Sequence, residues 1–169
     1  MHSTKYKYWR SAGDFRRCAK CEDKHGQIYC LPFDTITDSP PLHAQCRCSI
    51  QWLELKQAGT ATKSGLKGAD WWLKMFGQLP DYYISSTEAR RLGWIPALAN
   101  LSVVAPGKMV AMGIYKNKNG HLPSKPGRIW HEADINYTHG FRGTDRILYS
   151  NDGLIFVSYD HYSTFVEIA

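Results

Sequence analysis

No cysteine occurs after Cys48, although five precede it, and no apolar run reaches the roughly 20 residues that a membrane-spanning helix needs. The first absence divides the chain, because everything after Ile50 must be held by packing, without disulfides or thiolate-bound metal. The second excludes a helical membrane span. The amino-terminal stretch, with Lys5, Lys7 and Arg10 followed by Asp14 to Arg17, lacks the apolar segment of a secretory signal, so export is expected to use another route. No internal repeat is present, and no low-complexity tract beyond one Gly/Thr/Ser-rich stretch. Acidic residues are outnumbered: 21 Lys and Arg face 15 Asp and Glu, a formal charge of +6 that suits a polyanionic partner.

The 169 residues are 43% hydrophobic and 13% aromatic, enough for a packed core in the cysteine-free part. The basic excess is not concentrated there. Residues 1–64 carry 10 Lys/Arg and 6 Asp/Glu, leaving 11 and 9 for the rest, so a downstream domain that binds a polyanion must do so with a local patch. Upstream, residues 1–13 show no usable period. From Asp14 the chain reads Cys18-x-x-Cys21, His25-Gly26, Cys30, a turn-rich run through Asp38-Ser39-Pro40-Pro41, then His43-x-x-Cys46-x-Cys48. Two close pairs of soft ligands bracketing a loop are a common way for a small segment to hold zinc in a closed tetrahedron. Cys18, Cys21, Cys46 and Cys48 form one candidate set for a structural zinc, with His43 or Cys30 as substitutes; reduced thiols, or two disulfides with one cysteine left over, fit the same spacing. The organisation expected is a Cys/His-rich module at 1–53, a linker at 54–68 and a second domain at 69–169.

In that second domain, Ala69 to Phe76 predicts a helix burying a face of Trp71, Trp72, Leu73, Met75 and Phe76, with Gly77 as its stop. Ser85 to Glu88 opens another helix, with Ser85 as cap and Glu88 at the capping-box position, ending at Gly93. A third short helix is expected from Asn100 to Val104. Thereafter the pattern turns to strands at Met109–Ile114, Ile129–Ile135, Arg146–Ser150, Leu154–Ser158 and Thr164–Ile168, separated by Asn119-Gly120, Pro126-Gly127 and Asp152-Gly153. Helices first and strands afterwards predict an α+β fold, with amino-terminal helices packed on a five-stranded antiparallel sheet.

Within the strands, alternation puts Trp130, Glu132 and Asp134 on one face. Glu132, Arg142, Arg146 and His161 together supply a base, an acid and two guanidinium forks, a set that suits phosphodiester chemistry. The order Leu79-Pro80-Asp81, Leu92-Gly93-Trp94, Val104-Ala105-Pro106-Gly107-Lys108, Glu132 to Thr138, Asp145 to Ser150 and Asp160-His161-Tyr162 resembles the barnase-like ribonucleases, small secreted guanyl-preferring enzymes of bacteria, from about residue 65 to the end.

That resemblance implies the microbial ribonuclease fold and a metal-independent endoribonuclease, with no cofactor for catalysis. It implies Glu132 as base toward the ribose 2′-hydroxyl, His161 as acid toward the leaving 5′-oxygen, and Arg142 and Arg146 as phosphate holders. Tyr162 would lie beside the scissile group, with RNA contacts from Tyr115, Lys116, Asn117, Lys118, Asn119, His121 and Ser86. Three positions depart from the family pattern: Ser86 and His121 stand where lysines are usual, and Asn119 stands where the base-reading loop has an acidic residue. An amide offers one acceptor oxygen where a carboxylate offers two, so a relaxed guanine preference is expected. His121 would replace a lysine only when protonated. Residues 8–52 resemble the carboxy-terminal tails of Mu-like phage minor head proteins, similar to sites where prophage polymorphic toxins carry their toxic domain. The two resemblances imply a toxin, delivered or secreted, that acts on RNA in the cytoplasm of a target cell, and an acidic barstar-like immunity protein as partner. The competing expectations are a catalytically weak or inactive barnase fold kept as an RNA- or partner-binding module, and a zinc module that itself reads nucleic acid with Arg16, Arg17 and Lys20.

Overall fold

The computed structural model describes residues 5–12, 16, 18–30 and 39–169; Arg17 and Asp38, with part of the turn-rich run, lie outside the described residues. In chain order the elements are β1 (Tyr6–Arg10), α1 (Ala19–Lys24), β2 (Ile28–Cys30), β3 (Ser49–Trp52), β4 (Glu54–Lys56), α2 (Ala69–Phe76), β5 (Tyr83–Ser85), α3 (Ser86–Arg91), α4 (Leu101–Val104), β6 (Met109–Tyr115), β7 (Trp130–Asp134), β8 (Arg146–Ser150), β9 (Ile155–Ser158) and β10 (Val166–Ile168). They form two sheets, a three-stranded one in the order β2-β1-β3 and a seven-stranded one in the order β4-β10-β9-β8-β7-β6-β5.

The α+β class stands, but the sheet is larger than expected. Its five central strands, β6 to β10, are the antiparallel set read from the sequence, and each outer strand pairs in parallel: β4 with β10, and β5 with β6. Both additions are three residues long, too short for an alternating pattern to register. β5 reaches β6 through α3 and α4, a crossover of the kind parallel pairing requires. β1 likewise occupies residues where no period was readable; it is the central strand of its own small sheet.

The stretch expected to be a linker is structured. It holds β4 and then a loop drawn onto Asp70, which is fully buried and accepts hydrogen bonds from the Gly59 amide at 2.7 Å, the Ala61 amide at 3.0 Å and Thr62 Oγ1 at 3.1 Å. A buried carboxylate with three donors is a strong local anchor, since the charge needs those partners to remain out of water.

The helices are placed differently from the simple stack the sequence pattern implied. α2 ends where predicted, at Gly77 in the left-handed region with φ 70°, as a helix C-terminus favours. It lies against β8 and β9, but it buries Ala69, Asp70 and Leu73, while Met75 and Phe76 stay more than half exposed. α3 begins with Ser85 Oγ accepting from the Glu88 amide at 3.0 Å, the cap read from the sequence. It packs against β5 and β6 at one end of the sheet, and the cluster there is Ala89, Trp94, Leu101, Ala105, Val110 and Tyr137.

Alternation along β7, β8 and β9 divides the large sheet into two faces. Ala133, Ile147, Ile155 and Val157 face α2 with Ala69, Leu73 and Ile168. Trp130, Leu148 and Phe156 face the other way, and here the amino-terminal module covers them with Tyr6 and Ile28, joined by Leu53, Leu122 and Phe165. Tyr6 meets Phe156 edge-on, ring centroids 5.4 Å apart at 76°. Each such fully buried side chain contributes about 1.5–3 kcal/mol. The module therefore shares a core with the sheet, on the face that also carries Glu132.

Candidate active site

Glu132, Asp134 and Arg146 project from paired positions of two central strands: Glu132 opposes Leu148, and Asp134 opposes Arg146. Register alone sets Asp134 beside Arg146 at one end of the face, with Glu132, Leu148 and Phe156 across the next row and Trp130 beyond them.

Asp134 is the group sequence reasoning left without a role. It is 1% exposed, and Arg142 clamps it with Nε on Oδ2 and Nη2 on Oδ1, both at 2.6 Å. That pair raises the Arg142 pKa above its ordinary value against the opposing effect of burial. Arg146, 5% exposed, donates from Nη1 to the carbonyls of Gly143 and Asp145, both at 2.8 Å. Its Nε is 3.2 Å from Asp134 Oδ1, close enough for ion pairing, yet the buried N–H is not aimed at an acceptor. Arg142 is thus engaged by Asp134, and Arg146 is fixed between Asp134 and the carbonyls of Gly143 and Asp145. The signal for Asp134 was its period-two spacing from Glu132, which put a second carboxylate on the same face.

Glu132 receives a short hydrogen bond from the Tyr162 hydroxyl on Oε2. Burial first, then this bond and the Glu132 charge, push the Tyr162 pKa up, so the phenol remains a donor. The Tyr162 ring stacks on Tyr115 at 5.3 Å and 24°, and lies 4.8 Å from the His161 ring. Tyr162 therefore links carboxylate, imidazole and an aromatic platform.

The loop presenting His161 and Tyr162 is backbone-strained. Their φ values are 54° and 71°, a conformation unfavourable for non-glycine residues and worst for bulky ones. Polar contacts hold it. Ser158 Oγ, fully buried, accepts from the Tyr162 amide at 2.9 Å and donates to Asp160 at 2.9 Å; Asp160 accepts from Thr164 Oγ1 at 2.6 Å; and the His161 amide donates to the Thr144 carbonyl at 3.1 Å. Burial pushes Asp160 up, but bonds from Thr164 and Ser158 outweigh it and hold the carboxyl below its ordinary range.

In the loop after β6, Lys116, Lys118 and Asn119 are exposed, while Asn117 is internal to the loop, exchanging hydrogen bonds with both backbone groups of Leu122 at 2.9 and 3.1 Å. Asn119 is turned onto His121: its Oδ1 accepts from the His121 amide at 3.2 Å and its Nδ2 lies 3.1 Å from His121 Nδ1. His121 is half-buried, and burial lowers its pKa, so near neutral pH it does not supply the positive charge of the lysine it replaces. Ser86 sits in the first turn of α3, and no described contact joins it to Glu132 or His161.

A cleft of about 250 Å³ opens beside Arg142 and Arg146, walled by Trp94, Pro96, Ala99 and Phe141. Two larger clefts, of about 430 and 450 Å³, follow the seam between the module and the large sheet and are lined by none of Glu132, Arg142, Arg146, His161 and Tyr162. Of the cysteines, Cys30 lines the first of these clefts and the other four lie elsewhere. Cys18, Cys21 and His43 form one group, and Cys21, Cys46 and Cys48 another, whereas Cys30 stands in β2 outside both.

A family model described as ribonuclease matches residues 74–169. Over 97 residues the chain is 48% identical to a ribonuclease of Heyndrickxia coagulans, across 57% of this chain and 89% of that one. It is equally similar, 48% over 97 residues, to ribonucleases of Bacillus intermedius and Bacillus pumilus, and spans 60% of the length of each. The matched segment takes in Glu132, Asp134, Arg142, Arg146 and His161, and on it the chain belongs to the ribonuclease family.

Proposed function

We propose that this chain is an endoribonuclease that cuts single-stranded RNA by transesterification, without a metal ion in the reaction. The observation that carries the reading is the convergence of Glu132, Tyr162, His161 and Arg146 at one end of the sheet face. Glu132 takes the proton of the ribose 2′-hydroxyl with the oxygen that Tyr162 does not engage. The 2′-oxygen attacks phosphorus, the bond to the 5′-oxygen breaks, and His161 returns a proton to that leaving oxygen. A 2′,3′-cyclic phosphate and a 5′-hydroxyl result, and DNA, without the 2′-hydroxyl, is not cut. Arg146, which lines the cleft and is fixed beside Asp134, stabilises with its guanidinium charge the charge that grows on the non-bridging oxygens. Arg142 contributes mainly through Asp134, fixing the carboxylate that orients the neighbouring guanidinium.

Guanine preference is relaxed, because Asn119 lacks the second acceptor oxygen and the one it has is engaged by the His121 amide. The phage-tail resemblance of residues 8–52 supports a toxin delivered into the cytoplasm of a target cell, with an acidic barstar-like protein covering the cationic cleft in the producer. Purification of Glu132→Ala protein together with the product of the adjacent gene tests the partner, and absence of a tight complex would count against it.

The test of the chemistry is cleavage of a mixed-sequence RNA in EDTA, with the termini identified. Cyclic phosphate ends at several NpN steps, lost in Glu132→Ala and His161→Ala, are expected. RNA binding without cyclic phosphate would instead mark a binding module, and cleavage confined to GpN would overturn the relaxed preference.

A further inference from the structure

Five soft donors lie in two overlapping groups that share Cys21, where nothing in the ribonuclease reaction uses them. Cys18 caps α1 and Cys21 lies one turn further on, buried; His43, Cys46 and Cys48 approach from the segment before β3. His43 Nε2 is 3.3 Å from Cys18 Sγ and 3.5 Å from Cys21 Sγ, and Cys21 Sγ is 3.8 Å from Cys46 Sγ. Zinc bonds of about 2.3 Å to sulfur and about 2.0 Å to nitrogen give tetrahedral edges of about 3.8 Å between sulfurs and about 3.5 Å between sulfur and nitrogen. Two of these separations match sulfur–nitrogen edges and the third a sulfur–sulfur edge, while Cys46 and Cys48 group with Cys21 and close onto the ion from that side. A disulfide needs sulfurs at about 2.05 Å, and thiols are too weak as mutual donors to explain two groups of three donors that share Cys21. Both ligand pairs sit on hydrogen-bonded turns, with the Glu22 amide on the Cys18 carbonyl at 2.9 Å and the Cys46 amide on the His43 carbonyl at 2.9 Å, so the backbone already holds them in place.

The same helix leads directly to the nuclease loops. After α1 the chain turns at Gly26, φ +85°, where an added Cβ would stand 2.4 Å from the Ser163 carbonyl oxygen and 3.2 Å from His121 Nδ1. Two residues on, the Ile28 amide donates to the His121 carbonyl at 2.8 Å. This turn is wedged between the loop carrying Asn119 and His121 and the loop carrying His161 and Tyr162.

We propose that Cys18, Cys21 and His43, closed by Cys46 or Cys48, bind one zinc-class divalent ion, and that this ion holds α1 so that the Gly26 turn positions both active-site loops. The second half rests on the nuclease reading above; the metal site does not. His43 replaces one cysteine of the all-sulfur set as ligand, and Cys30 is not a ligand.

Metal analysis of the full chain, expressed with zinc and purified without chelator, is expected to give one equivalent, retained in Cys30→Ser and lost in Cys18→Ser and His43→Gln. Cobalt(II) added to the chelated wild-type protein is expected to produce the visible spectrum of a tetrahedral thiolate site, which reports on the site even where a variant fails to fold. No bound metal in the wild type, or a mapped disulfide among these cysteines, would overturn the site. Removing the ion is expected to lower kcat/KM by roughly tenfold to a hundredfold, as ångström-scale misplacement of reacting groups does, and returning zinc restores it. An apo protein as active as the holo protein would overturn the coupling while leaving the site. Glu132→Ala, by contrast, abolishes cleavage with its metal intact, which keeps the two readings apart.

Discussion

The active site has a strand-borne half and a loop-borne half, and they are held by different forces. Glu132, Asp134 and Arg146 belong to β7 and β8, where antiparallel register and the buried Asp134 cluster leave them no alternative arrangement. His161, Tyr162, Asn117, Asn119 and His121 belong to loops whose shape comes from single polar contacts: Ser158 under Tyr162, Leu122 on Asn117, Ile28 on His121. Disturbing the first half should damage fold and chemistry together, whereas disturbing the second should damage chemistry and selectivity at little cost to the fold.

The largest effect expected is from Asp134→Asn, which leaves two buried or half-buried guanidinium groups without a counter-charge. Breaking a buried ion pair from one side costs about 3–5 kcal/mol, measurable as a lower urea midpoint, with cleavage falling in parallel. An unchanged midpoint would show that the strands need no help from the pair. Ser158→Ala comes next. Its buried hydroxyl bridges the Tyr162 amide and Asp160, so its loss should cost about 1–3 kcal/mol and lower kcat/KM by more than that instability explains, since two strained residues lose their tether. Smaller again is the acid response of the same loop. Because the folded Asp160 carboxyl titrates below its ordinary value, its contribution is complete above the unfolded value of about 3.9 and is lost as pH falls through the lower, folded one. Asp160→Asn should flatten the acid limb of an unfolding-versus-pH curve, and an identical limb would contradict this. The smallest stability change is expected from Asn119→Glu at an exposed position, within about 0.5 kcal/mol. Its readout is selectivity: cut sites should shift toward GpN steps, and an unaltered cut map would place base reading elsewhere.

Legibility followed the same division. The strand Arg146–Ser150, the Ser85 cap and the Gly77 stop could be read because each rests on local chemistry that repeats or terminates within a few residues. β4 and β5 could not, since three-residue outer strands take their identity from the partner they join. Glu132 was legible as one of a set, but its partner Tyr162, 30 residues away, and the clamp of Arg142 on Asp134 are products of tertiary proximity. Likewise the aromatic run of α2 read as a buried face, yet the helix turns Asp70 and Leu73 inward because the loop before it needs the carboxylate.

The parallel pairing of β4 with β10 also governs how the molecule meets its neighbours in solution. An outermost strand exposes unpaired backbone groups to which a second copy can add, and Val166 and Ile168 would make β10 an apolar strand of that kind. Glu54 and Lys56 instead stand at the rim, 3.9 Å apart and partly solvated, so the edge open to other chains is short and charged. A protease cutting just after Lys56 would leave only β4 pairing and the shared core around Tyr6 and Phe156 to hold the module, so mild denaturant that loosens that core would let the guard strand leave. The freed nuclease would then gain a surface prone to self-association, detectable as concentration-dependent sedimentation absent from the intact chain.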